Sequence, residues 1–225
     1  MNVSYLITCC NETTTLTNLL KRLGSCVTPD DSVIILADTN HSEETHNIIG
    51  AFHHWFGCRL ITHSLNNDYG THKNYGIEHC TGDYIFQLDG DELPPKSLLG
   101  ENLHELIESN PNVEAYAVPR INDFKGVTPQ HASQWGWKLD MSPTYNRPRV
   151  QWPDFQFRIF KRDYPRISFL RKLHEKIEGY KEYSFLPVEE DWALYHDKTI
   201  QRQIETNLRY NTQFSVEDNR GHTIK

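Results

Sequence analysis

The chain has 225 residues, with 23 Lys and Arg against 30 Asp and Glu, a formal charge of −7, and 12% aromatic and 24% charged residues. That balance excludes a disordered chain, which is poor in aromatics, and general nucleic-acid binding, which needs a basic face. The length suits one large domain or two small ones.

Strand and helix signals alternate through the first half. Residues 3–8 form a short apolar strand, and residues 13–23 carry Leu16, Leu19, Leu20 and Leu23 at helical spacing before Gly24. Residues 32–37 are continuously apolar, as in a strand covered on both faces. A helix over 43–55, a strand over 58–62, a helix over 70–80 and a strand over 83–88 follow. Strands separated by crossover helices imply a parallel sheet whose ligands bind beyond the carboxyl ends of the strands. Those ends carry residues 8–12, 38–41, 63–67 and 89–92, all polar.

The last of these ends is the most telling. In Leu88-Asp89-Gly90-Asp91-Glu92 an apolar strand runs into three acids around one glycine. Alternation puts Asp89 and Asp91 on the same side of the strand tip, and Gly90 lets the backbone bend and keeps the approach to a ligand open. Two carboxylates that close repel unless a cation lies between them, and Mg2+ or Mn2+ takes oxygen ligands and often bound phosphates. The segment reads as a metal–diphosphate site; the alternative is a polar turn that caps a helix.

Further along, the pattern predicts a helix over 97–109 and a strand over 114–119. Residues 120–150 have weak periodicity with several aromatics and prolines, which reads as a lid or acceptor-binding element or as a packed helical insertion. Strands over 155–161 and 166–169 follow, residues 173–180 continue the pattern, and residues 199–214 form a charged helix with Ile200, Ile204, Leu208 and Asn211 on one stripe. The expected organisation is one domain over 1–198, with a nucleotide-binding half (1–95) and an acceptor and metal-completing half (96–198), then a helix and tail over 199–225. Cys9, Cys10, Cys26, Cys58 and Cys80 are odd in number and lack CxxC spacing, so a reducing compartment is expected and zinc is not. No signal peptide is visible and no apolar run approaches about 18 residues, so a cytoplasmic chain without a transmembrane segment is expected, with a peripheral membrane contact left open.

In this order and spacing, several segments together resemble the family 2 glycosyltransferases. They are Cys10-Asn11-Glu12 after the first strand, Asp38-Thr39-Asn40-His41 after the second, His72-Lys73-Asn74-Tyr75-Gly76-Ile77, the pair Gly82-Asp83-Tyr84-Ile85 and Asp89-Gly90-Asp91, then Phe157-Arg158-Ile159-Phe160-Lys161-Arg162 and Leu173-His174-Glu175. The last two are similar to the branch that holds lipopolysaccharide-core sugar transferases. The second-strand loop departs from the family's Asp-Asp-Gly-Ser, which leaves the nucleotide base open. The resemblance implies a GT-A (Rossmann-like) α/β fold, with a mostly parallel central sheet flanked by helices and a C-terminal helical extension.

The implied activity is inverting transfer of a sugar from a UDP- or GDP-sugar to a hydroxyl on a glycan, lipid-linked glycan or protein acceptor, with Mn2+ or Mg2+. Asp91 and Asp89 are then the metal ligands, with His174 a further one. Thr8, Asn11, Glu12, Asp38, Lys73, Asp89 and Gly90 line the nucleotide-sugar site, Glu12 and Asp38 facing base and ribose and Lys73 a phosphate. Asp154 occupies the place of the family's general base, with Glu175 as the alternative and Glu190 and Asp191 weaker. Trp135, Trp137 and Trp152 are candidates to stack on sugar rings, and His196 resembles a region near the metal. Two other readings stand beside this one: a nucleotidyltransferase, disfavoured by the acidic, glycine-free loop at residues 9–13, and a non-catalytic glycan-binding module.

Overall fold

The computed structural model describes residues 1–142, 144–145 and 147–219. In the first half, β1 (Val3–Cys9), α1 (Thr14–Gly24), β2 (Ser32–Asp38), α2 (Glu43–Phe56), β3 (Arg59–His63), α3 (Tyr69–Glu78) and β4 (Tyr84–Asp89) alternate as the sequence pattern predicts. The leucine stripe of α1 is buried in full against the sheet. Ser42 caps α2 by accepting from Thr45 N, and Asp68 caps α3 by accepting from Thr71 N. β1, β2, β3 and β4 pair in parallel, with β1 between β2 and β4, and β1, β2 and β4 are almost wholly buried.

The second half adds β5 (Glu92–Leu93), α4 (Glu101–Glu108), β6 (Ala115–Val118), β7 (Arg120–Lys125), α5 (Pro129–Trp135), β8 (Leu139–Asp140) and β9 (Arg149–Val150). They are followed by β10 (Gln156–Lys161), β11 (Ser168–Leu170), β12 (Lys176–Glu178), β13 (Tyr183–Phe185), β14 (Leu194–Thr199) and α6 (Ile200–Gln213). A seven-stranded sheet runs in the order β13-β6-β10-β4-β1-β2-β3, with β10 antiparallel to both its neighbours. A second, five-stranded sheet runs β5-β14-β7-β9-β8, and β11 and β12 form a separate hairpin. This is the mixed α/β fold expected from the sequence, with helices flanking a central sheet.

Three features differ from the sequence pattern. The helix predicted over 97–109 is broken: a 3-10 turn at Lys96–Leu98 precedes α4, and Gly100 between them has φ +57°. A Cβ on Gly100 would lie 2.2 Å from Cys26 O, so the chain turns there through backbone contact that only glycine permits. Residues 120–150 are neither a loose lid nor a helical insertion. Their β7, β8 and β9 build the second sheet, α5 is closed by a Thr128–His131 capping box, and Pro143 and Asn146 lie outside the described residues. Finally, β14 was not anticipated as a strand, although buried Leu194 and His196 alternate with exposed Tyr195 and Asp197. Among the described residues no helix is long and apolar enough to cross a membrane.

Candidate active site

The carboxyl ends of β1, β2 and β4 open onto a cavity of about 610 Å³, closed by α3, the loop before β12, β14 and α6. Gly90 N donates to Thr8 O, so β4 stays paired to β1 through its last residue. The chain then crosses to the second sheet, where Glu92 pairs with His196. Asp91 lies at this crossing. Gly90 lies outside the left-handed region; what it supplies is room, since a Cβ there would come 3.1 Å from Cys9 Cβ and 3.3 Å from Thr8 O.

The floor is an alternating chain of charges. Glu175 pairs with Lys73 (2.6 Å), Lys73 with Asp89 (2.9 Å), Asp89 with Arg158 (2.6 Å) and Arg158 with Glu92 (2.5 Å). Glu92 in turn pairs with Arg120 (2.9 Å) and Arg120 with Asp154 (2.6 Å). Gln87 accepts from Lys73 Nζ and Arg158 Nη1 and donates to Asp89 Oδ1. Burial alone would raise the Asp89 carboxyl and lower the Lys73 ammonium; the charges of Arg158 and Lys73 instead hold Asp89 well below the usual carboxylate range, and Asp89 and Glu175 hold Lys73 above its own.

Asp91 has different company. Its Oδ2 is 3.5 Å from His196 Nε2 and 3.8 Å from Arg202 Nη2. Burial would raise its carboxyl, but His196 and Arg202 hold it down to about 2. The imidazole is oriented from behind. Asn122 Nδ2 donates to Val150 O and Asp154 Oδ2, so Asn122 Oδ1 faces His196 Nδ1 at 2.8 Å and accepts a hydrogen bond from it. With Nδ1 engaged by Asn122, His196 presents its other ring nitrogen, Nε2, to the Asp91 carboxylate. A carboxylate oxygen and an imidazole nitrogen so placed are a ligand pair that fits a divalent cation, which would take the place of the hydrogen between them.

Thr8, Glu12, Asp38, Lys73, Asp89, Gly90, Asp91, His174 and Glu175 all line the cavity. Thr8 Oγ1 donates to Asp89 Oδ1. Glu12 accepts from Cys10 N and from Arg202, and Asp38 Oδ1 accepts from Asn40 N and Nδ2. Asn11 is turned aside, its Oδ1 accepting from Ser42 N, and does not line the cavity. Lys73, anticipated as a phosphate contact, is buried between two carboxylates. His174, anticipated as a metal ligand, lies against Tyr210 and Asn219, and the imidazole beside Asp91 is that of His196. Among the described residues no three His, Cys, Asp or Glu side chains converge as a metal cluster.

Asp154 does not line the cavity. Its oxygens accept from Arg120 Nε and Nη2, Asn122 Nδ2 and Gln156 Nε2, and these partners overcome burial to hold the carboxyl below its ordinary range. Trp135 and Trp137 pack on each other, Trp152 lies near Arg149, and none of the three reaches the cavity. Glu190 pairs with Arg149, away from the site. The residues that sequence reasoning left out are Gln87, Glu92, Arg120 and Arg202. Gln87 and Glu92 flank the acidic motif, and a polar residue inside an otherwise apolar strand was the legible signal for Gln87.

The Glycosyl transferase family 2 model matches residues 4–173. No curated protein sequence matches the chain. Among solved structures, Staphylococcus aureus TarS 1–349 in complex with UDP-GlcNAc superposes with a TM-score of 0.62 at 15% identity, covering 88% of this chain and 59% of that one. The Pyrobaculum calidifontis mannosyltransferase PcManGT, in complex with GDP-Man and Mn2+, has a TM-score of 0.56 at 14% identity, covering 86% and 56%. Glucosyl-3-phosphoglycerate synthase from Mycobacterium tuberculosis, with Mn2+, UDP and phosphoglyceric acid, has a TM-score of 0.53 at 11% identity, covering 92% and 75%. The chain thus spans about three fifths of the TarS 1–349 chain. At these identities the superpositions speak for the fold, and the family match speaks for descent. Because that match runs from the first strand, across the acidic rim of β4, to Leu173, well over half of the chain, the chain belongs to glycosyl transferase family 2.

Proposed function

We propose that the chain transfers a sugar from a UDP- or GDP-sugar to a hydroxyl of a carbohydrate or lipid-linked acceptor, with inversion and with a divalent cation. The observation that carries this reading is the Asp91–His196 pair at the sheet rim, an oxygen and a nitrogen donor 3.5 Å apart inside the one cavity that Asp38 and Glu12 also line. Asp91 and His196 would hold a Mn2+ or Mg2+ ion there, and its positive charge would offset the negative charge that develops on the departing diphosphate. This replaces the Asp89–Asp91–His174 set suggested by the sequence. Asp89 spends its oxygens on Lys73, Thr8, Gln87 and Arg158 and acts as the anchor of the floor.

Glu12 and Asp38 receive the nucleoside. The acceptor oxygen attacks the anomeric carbon, the bond to the diphosphate oxygen breaks, and the acceptor proton leaves to a base. Glu175 is the base in this reading. It lines the cavity, Lys73 holds its Oε1, and Oε2 makes no hydrogen bond among the described residues. Asp154, saturated by four donated hydrogen bonds outside the cavity, orients Arg120 and Asn122 instead.

The test is a melting-temperature screen with UDP and GDP, with and without Mn2+, followed by transfer assays. A ligand at a hundredfold its Kd adds about 2.7 kcal/mol of stability. Glu175→Gln should keep the Mn2+-dependent shift and lose about a hundredfold or more in transfer rate, while Asp91→Asn should lose the Mn2+-dependent part of both. If neither nucleotide shifts the melting temperature with Mn2+ present, the reading is wrong.

A further inference from the structure

The cavity's deep cations are already matched. Lys73 is held by Asp89 and Glu175, Arg158 by Asp89 and Glu92, and Arg120 by Glu92 and Asp154. Four carboxylates face three cations there, so the floor has no surplus positive charge for a nucleoside diphosphate. The surplus lies on the opposite wall. Lys198 at the end of β14, and Arg202 and Arg209 on α6, line the same cavity. Lys198 and Arg209 make no ion pair among the described residues; Arg209 Nη2 donates to Tyr69 Oη at 3.4 Å, and its guanidinium lies over the Tyr210 ring at 5.4 Å.

The geometry of α6 is informative. Arg202, Glu205, Thr206, Arg209 and Tyr210 all line the cavity, and their spacing is that of a single helical face. A helix docked by core packing turns its apolar stripe inward. Here the inward face is polar, and no residue of α6 is buried. What holds the helix is the contact of Arg202 Nη2 with Glu12 Oε1 at 2.8 Å and an aromatic group of Tyr69, Tyr210 and Phe214. Arg202 spans Glu12 and Asp91, which descend from different strands; its side chain is 43% exposed, and Asp91, at 3.8 Å, is the longer of the two contacts.

We propose that Arg202 and Arg209 form the diphosphate clamp of this chain, and that Arg202 yields Asp91 to the divalent cation as the nucleotide enters. The inference rests on the donor reading above and adds which residues neutralise the donor. A cation bound to Asp91 would stand a few ångströms from the Arg202 guanidinium, and the two positive charges compete for one carboxylate. Displaced from Asp91, the planar guanidinium has phosphate oxygens as its next partners and can meet them with two parallel hydrogen bonds. Arg209, two helical turns further along the same face, meets the same anion. A plain strut between α6 and Glu12 would tie the helix down with no such exchange.

Titration calorimetry on the full chain separates the two. Arg202→Gln should bind Mn2+ alone a few-fold more tightly than the wild type, through loss of a competing charge, and bind UDP or GDP at saturating Mn2+ about tenfold more weakly. Arg209→Gln should bind Mn2+ as the wild type does and the nucleotide more weakly; the residue is exposed and in no ion pair among the described residues, so folding is not at stake. Arg202→Lys should recover part of the nucleotide affinity. Unchanged nucleotide affinity in both glutamine variants overturns the clamp, and Mn2+ binding to Arg202→Gln that is unchanged or weaker overturns the exchange at Asp91. A wild type that binds neither UDP nor GDP sinks the donor reading and the clamp together, whereas a wild type that binds one while both variants bind it equally well sinks the clamp alone.

Discussion

Asp89 accepts from Lys73, Thr8, Gln87 and Arg158, while two positions on Asp91 pairs, among the described residues, with His196 and Arg202 alone. The motif was legible in the sequence, but this division of labour was not, because the partners come from β10, β14 and α6, far away in the chain. The same holds for Asp154. Its position between two motifs suggested a base, but Arg120 and Asn122, brought beside it by β7, bind its Oδ2 and Gln156 binds its Oδ1. His72 carries the prediction at this scale. It is buried next to His63, and burial first, then His63, push its imidazole down from 6.5 to about 4. The folded chain therefore keeps His72 neutral while the unfolded chain protonates it, so stability is full above the unfolded value and falls as pH drops from about 6.5 toward 4. Urea titrations at pH 7 and 4.5 should show about 2 kcal/mol less stability at the lower pH from this group, and His72→Gln should remove that part of the slope.

α3 and β11 show how an element is aimed. Asn74 Nδ2 donates to Phe169 O at 2.9 Å and Asn74 Oδ1 accepts from Phe169 N at 2.8 Å, so one amide stands in for a neighbouring strand. Tyr69 N and Gly70 N donate to Lys172 O and Arg171 O, fastening the loop that carries His174 and Glu175 to the start of α3. Asn74→Ala leaves two backbone groups without partners and should cost about 1–3 kcal/mol. Hydrogen exchange at Phe169 should quicken in that variant ahead of exchange in β1 and β4. Asn74 was visible in the sequence as part of a helix motif, but its partner was not, since a helix periodicity says nothing of which strand end lies alongside. Residues 120–150 were misread for a related reason. Their strands are two to six residues long, and the longest, β7, pairs with β14, some seventy residues later, so no local period revealed them.

Across the whole molecule, the alternating charges on the cavity floor join the two sheets. Asp89 and Arg158 belong to β4 and β10 of the seven-stranded sheet, and Glu92 and Arg120 to β5 and β7 of the five-stranded one. Glu92 is fully buried at the seam. Arg158→Met keeps the bulk and removes the charge between two carboxylates, which should cost about 3–5 kcal/mol, read as a lower urea midpoint with an unchanged slope. Because a desolvated carboxylate that loses its cation takes up a proton more readily, the variant should recover part of that loss as pH falls toward 4.

The order of apolar runs and helical stripes in the first half already determined the parallel sheet, the rim on which ligands meet it and the acidic motif at the end of β4, because each of these is written in neighbours no more than a few residues apart. The family likeness extended that reading to the loop with His174 and Glu175. Which carboxylate is open and which is locked, that His196 faces Asp91, and that α6 turns its arginines inward were decided only when the chain closed. Those facts depend on charges brought together from both halves, and charge pairing across a fold leaves no periodic trace in the sequence.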